Sequence, residues 1–230
     1  MGLLDTLMGR TKPVRANLDA LFALPSAAVT LETAAGLALS GRAGICWKPP
    51  AGRPAEDVRR EIAELLDIPD DGAPGAAAGA GDAPPAAEPA TPGDAGAKDA
   101  GAGDVVPAGG SLAQAEDAYG YRWLLLQDPD VDGLVTRVHV VNTTLEENGW
   151  GPQLLCSVFG LVPGPEADPD TRALFLVYLY KRGTFYPFAP DGKEHRDSEL
   201  ELRIRAVVGA DLPVEADLSR WFPLWDLPVR

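Results

Sequence analysis

Residues able to do chemistry are few in this chain, and they are scattered. His139 and His195 are its two histidines, and Cys46 and Cys156 its two cysteines. None has a second His or Cys at zinc-ligand spacing, although Asp191 and Glu199 flank His195. Ser157, Ser198 and Ser219 lack the Gly-x-Ser-x-Gly setting of a nucleophile elbow. Asp128, Asp130 and Asp132 alternate like the start of a calcium loop. Pro129 takes the second position of that loop, and His139 the twelfth, where a bidentate Glu belongs. The stretch reads instead as a turn that caps a helix, and Glu146 and Glu147 read as its solvated end. No catalytic, cofactor-binding or metal residue is assigned, and a non-enzymatic binding protein is expected.

Binding chemistry concentrates in Tyr178–Phe188. An apolar run from Ala173 to Leu179 reads as a strand buried on both faces. It ends in Tyr180, Lys181 and Arg182, turns at Gly183, and continues through Phe185, Tyr186 and Phe188 around Pro187. Arginine among aromatics is the make-up of interface hot spots. Tyr180, Lys181, Arg182, Phe185, Tyr186 and Phe188, with Arg220 and Trp221 of the tail, are therefore expected to contact a partner. The plainer alternative pairs the two cations with Glu194 or Asp197 and lays Trp221–Trp225 over the core as a strap. A third alternative is a pocket at Arg182 that holds a small anion or an anionic substrate.

Other elements must position that strand end. Leu3, Leu4, Leu7 and Met8 share one face of a short amphipathic helix followed by Arg10, Lys12 and Arg15. That helix is a candidate for contact with a membrane or a partner. Asn17 can cap a second short helix ended by Pro25, followed by strands near Ala28–Leu31 and Ala43–Lys48. Pro54 opens a helix to about Asp67. Tyr119, Tyr121, Trp123 and Leu125 alternate as the aromatic face of a strand. Leu134, Val138, Val141 and Leu145 have helical spacing. Leu154–Leu161 and Ala173–Lys181 read as a strand pair, and a last helix starts near Asp197, with Glu201 set against Arg205.

A long insert interrupts these elements. Between Pro69 and Gly110 there are 14 Ala, 10 Gly and 7 Pro, no aromatic, and seven acids against Lys98 alone. Such a segment buries too little apolar surface to offset its chain entropy, so disorder is expected. It holds −6 of the formal charge of −14, leaving the remainder only mildly acidic. That balance argues against nucleic acid as a main partner. With no signal peptide and no apolar run of about 20 residues, a cytoplasmic protein is expected, with weak membrane contact through the N-terminal helix as an alternative. The expected architecture is one α+β domain, a small and mostly antiparallel sheet packed by helices. Residues 1–68 and 113–230 contribute to it, and 69–112 form the disordered insert.

The segments Met1–Asp5, Asn17–Pro25, Gly151–Cys156, Tyr178–Phe188 and Asp217–Pro223 together resemble the PspA-associated PspAB family. The resemblance covers both sides of the insert. It implies an actinobacterial or archaeal protein of the phage-shock system, whose central member, PspA, is a coiled-coil factor of envelope stress and membrane remodelling. It also implies a link to a membrane zinc metalloprotease of the HtpX type. It supplies no catalytic residue. The function expected is thus an adaptor or regulator that binds a PspA-like protein or such a protease, with a peripheral membrane protein as the alternative.

Overall fold

The structure is a computed structural model that describes residues 16–65 and 112–229, except 166, 169–170 and 193. Leu3, Leu4, Leu7, Met8 and nearly all of the expected insert lie outside the described residues. The chain forms β1 (Leu37–Trp47), β2 (Leu112–Glu116), β3 (Arg122–Gln127), β4 (Leu154–Pro163), β5 (Leu174–Leu179) and β6 (Thr184–Phe188). Its helices are α1 (Leu24–Ala35), α2 (Ala55–Leu65), α3 (Val131–Glu147) and α4 (Ser198–Val208), with 3-10 turns at Leu18–Ala23 and Leu218–Arg220. The strands make one sheet in the order β2-β3-β1-β4-β5-β6, with every neighbouring pair antiparallel. This is the α+β architecture expected from the sequence.

Two details of the elements differ from expectation. The apolar stretch at Ala28–Leu31 is the middle of α1, not a strand. Pro25 lies at the first turn of that helix, where a missing N–H costs nothing, so it starts a helix instead of ending one. Leu24, Ala27 and Leu31 then fall on one buried stripe. By length and composition Leu18–Ala35 could cross a membrane, but Leu18, Leu21, Leu24 and Leu31 belong to the core. The second difference is two further strands, β2 and β6. Strand β6 contains Pro187, which cannot donate to a ladder and so suits the sheet edge where it sits.

The sheet has two unlike faces. On one, the helices and the first 3-10 turn cover Ile45, Trp47, Leu124, Phe159, Leu176, Tyr178 and Phe185. On the other, Cys46, Trp123, Cys156, Val158, Val177, Tyr186 and Phe188 meet the C-terminal segment, chiefly Trp221, Leu227 and Val229. Alternation along each strand sends successive residues to opposite faces, so β5 and β6 are buried on both. The C-terminal segment passes close to β1 at Gly44, where a Cβ would come within 2.6 Å of Val229. Asp130 caps α3 by accepting from Gly133 N at 2.8 Å, and Asp128 accepts from Asp130 N at 3.0 Å. Asp128 and Asp130 thus build a strand-to-helix turn, as the sequence suggested, and Asp132 falls in the first turn of α3.

Candidate functional site

The end of β5 and the start of β6 are joined by Tyr180–Gly183. Gly183 adopts φ +66° against Asn17, whose Cβ would lie 2.8 Å from an added Cβ, so both backbone and space demand glycine there. Lys181 Nζ donates to Pro152 O at 3.1 Å. Arg182 grips Glu215 with two nitrogens, Nε to Oε2 and Nη2 to Oε1, the latter at 3.1 Å. Glu215 also accepts from Thr184 Oγ1 at 3.0 Å and from Asp217 N at 3.1 Å. Its carboxylate is 2% exposed, whereas the Arg182 side chain is 42% exposed. The Arg182 guanidinium holds Glu215 below the usual carboxylate range, against the opposing effect of burial. Asp217 is held low chiefly by the Ser219 hydroxyl and N–H. The partners considered from sequence, Glu194 and Asp197, are not those of Arg182. Asp197 instead caps α4 and pairs with Arg172, and buried Glu201 pairs with Arg196, not with Arg205.

These contacts fasten the C-terminal segment as a strap. Phe185 N donates to Pro213 O and Glu215 N to Phe185 O, both at 2.8 Å, extending the edge of the sheet. Trp221 Nε1 donates to Glu215 O at 3.1 Å, and Arg196 Nη1 to Trp221 O at 2.7 Å. Tyr186 Oη donates to Phe222 O at 2.8 Å, while its ring stacks on Trp221 with centroids 5.9 Å apart. Further along, Trp225 meets Phe188 edge-on at 5.3 Å. The strap reading of Trp221–Trp225 is therefore the arrangement that forms.

Between strap and sheet lies a cavity of about 460 Å³. Its floor is Cys46, Trp123, Leu155, Cys156, Leu179 and Tyr186, and its outer wall is Phe222–Trp225. Tyr119 and Phe222 stand at its rim, 56% and 57% exposed. The hairpin between β2 and β3 supplies the remaining side. There Asp117 accepts from Tyr119 N, Tyr121 N and Trp123 Nε1 at 2.9–3.0 Å, fixing the turn and the indole together. Cys46 and Cys156 are directly opposed on β1 and β4 and are free thiols. The neighbouring Cys156, then burial, drives the Cys46 thiol far above its ordinary range, so Cys46 is an uncharged thiol. Another cleft, of about 910 Å³, opens between the end of α1 and the loop after β4, lined by small residues with Glu32, Asp168 and Arg203. Among the described residues no cluster of His, Cys, Asp and Glu could hold a metal ion.

The expected partner residues therefore separate into two groups. Tyr180, Phe185, Tyr186, Phe188 and Trp221 are buried, and only Lys181, Arg182 and Arg220 reach the surface. His139 packs beside Phe22 with ring centroids 4.8 Å apart, on the helical side. Glu215 was missed because a single acid in Pro213-Val214-Glu215 carries no local signal of the arginine 33 residues before it. The cavity has no sequence signal even though Tyr121, Trp123 and Leu125 alternate onto one face, because sequence does not say what covers that face.

The family model for PspA associated protein B matches residues 1–78 and 103–229. This chain belongs to that family. The stretch left unmatched by the PspAB model falls inside the Ala/Gly/Pro-rich insert. No curated protein and no solved structure matches the chain.

Proposed function

We propose that this PspAB protein is a non-enzymatic adaptor or regulator of a phage-shock-like envelope-stress response, acting in the cytoplasm on a PspA-like coiled-coil protein. The observation that carries the reading is the family match on both sides of the insert, under a description that names association with PspA. The outer surface of the strap has chemistry suited to such a partner. Leu218 and Phe222 are 51% and 57% exposed, Arg220 lies between them, and Arg182 and Lys181 stand at the adjoining strand end. Apolar residues framed by cations suit a helix with an apolar stripe and acidic flanks. Arg182 and Arg220 are already oriented by Glu215 and Asp217, which lowers the entropy lost on docking. Two adjacent free thiols suit a reducing compartment.

The test is affinity capture from stressed and unstressed cells, comparing the full chain with a Leu218→Ser/Arg220→Glu variant. The expected result is a PspA-like coiled-coil protein recovered with the native chain and at least tenfold less with the variant. Equal recovery would move the contact off the strap. Recovery of a membrane metalloprotease alone would reassign the partner, and no specific partner in either state would overturn the adaptor reading.

A further inference from the structure

Beneath the strap, on the side away from the surface proposed for the partner, the geometry points to a binding site for a small uncharged molecule with a single apolar chain. The volume is the first argument. About 460 Å³ lies within the range of small-molecule pockets, roughly 300–1,000 Å³. One turn of a partner helix, about 10 Å across and 5.4 Å high, would fill roughly 420 Å³. A protein segment long enough to bind stably therefore has no room between strap and sheet. At roughly 30 Å³ per small group, the share of a water in the liquid, the space suits a ligand of about 15 heavy atoms.

The lining is the second argument. Leu155, Leu179, Trp123, Pro223, Leu224 and Trp225 present carbon to the space. The polar groups at its base are largely engaged by the protein, and the Tyr119 and Tyr121 hydroxyls belong to the hairpin side. The Tyr186 hydroxyl donates to Phe222 O. The two free thiols face each other across β1 and β4. Among the described residues Asp117 is the one carboxylate in the wall, and three N–H donors occupy it. A lining that is mostly carbon holds water only weakly, so an apolar guest displaces that water at little cost. Among the described residues no cation lines it to receive an anionic head group, and the Asp117 charge repels one. An ammonium head would have to compete with three hydrogen bonds for Asp117. The site thus selects an uncharged tail, of acyl or isoprenoid type, with any hydroxyl at the mouth between Tyr119 and Phe222.

Three probes with the same ten-carbon tail test this on the full chain: 1-decanol, decanoate and decylammonium. Isothermal titration, with tryptophan fluorescence as a second readout from Trp123 and Trp225, should give one saturable decanol site per chain, with Kd on the order of 10–100 µM. Decanoate and decylammonium should bind at least tenfold more weakly. Leu155→Phe and, independently, Leu179→Phe fill the space and should each weaken decanol at least tenfold while far-UV circular dichroism is unchanged. The Leu218→Ser/Arg220→Glu variant should bind decanol as the native chain does, so a failed partner contact and a failed cavity can be told apart. Co-flotation with phosphatidylcholine vesicles that is lost in Leu155→Phe would identify a bilayer as the source of the tail. Decanol binding without flotation would identify a free ligand. Absence of saturable decanol binding, equal binding by both filled variants, or tightest binding of a charged probe would overturn the assignment.

Discussion

The helical face buries far more apolar side chain than the strap face, and it is beneath the strap that an apolar cavity lies between the sheet and its cover. Helices α1, α3 and α4 present regular stripes that interlock with strand side chains, and Phe159, Leu176 and Leu134 on that side are fully buried. The strap has no such periodicity. It crosses the sheet as an extended segment with one short 3-10 turn, and its own backbone polar groups must find partners elsewhere. It is accordingly held by a few polar fasteners, Arg182 to Glu215, Arg196 to Trp221 O and Tyr186 to Phe222 O. The lesson is that close packing stabilises one face, whereas point attachments hold the other and leave space beneath.

The widest separation between the faces should appear in truncations. Phe159→Ala on the helical face should cost about 3–5 kcal/mol in denaturant unfolding, and Trp225→Ala on the strap less than half of that, because its ring is half-buried beside an existing cavity. The reverse order would break the comparison. Glu201→Gln comes next. It weakens the hold on Arg196, which secures Trp221 O, and should cost roughly 1–3 kcal/mol, measured as a shift in Tm.

A smaller global effect with a local signature is expected at Glu215. Glu215→Gln should leave the sheet folded while the strap becomes more sensitive to protease. Glu215 and Asp217 lie below their ordinary values of 4.5 and 3.8 in the folded protein. Their contribution is therefore present above those values and lost as pH falls through the folded-state values. Strap protection should be constant at pH 6 and decline in acid, and the Glu215→Gln variant should lack most of that decline. A strap equally protected at pH 3 in the native chain would show that packing, not charge, holds it. Least of all, Lys181→Ala should change stability by no more than about 0.5 kcal/mol, since its one contact is with Pro152 O at the surface.

Most of the helical face was legible from sequence, because a helix writes its buried side as a period. Leu134, Val138, Val141 and Leu145 belong to the core of α3 as their spacing required. The failures have physical reasons. Ala28–Leu31 holds β-branched Val29 and Thr30, and Pro25 reads as a stop because sequence alone does not reveal which side of a proline is helical. The aromatics after Arg182 resembled a surface patch because aromatics enrich both interfaces and cores. Only the sheet decides between these, by placing Phe185 against the helices and Tyr186 and Phe188 against the strap. The cavity depends on contacts between residues about 100 positions apart, for which single-chain patterning carries no signal.

The placement of β1 between β3 and β4 has a consequence for synthesis. Arg42 pairs with Gln127, and Leu37 with Pro163, so both ladders of the central strand wait for chain that follows the insert. At about 5–20 residues per second, the ribosome takes roughly 4–16 s to pass from Trp47 to Gln127, the end of the first partner strand. For that interval a nascent strand carrying Ile45, Cys46 and Trp47 has neither neighbour, and chaperones that shield unpaired edges would meet this chain before its fold could close.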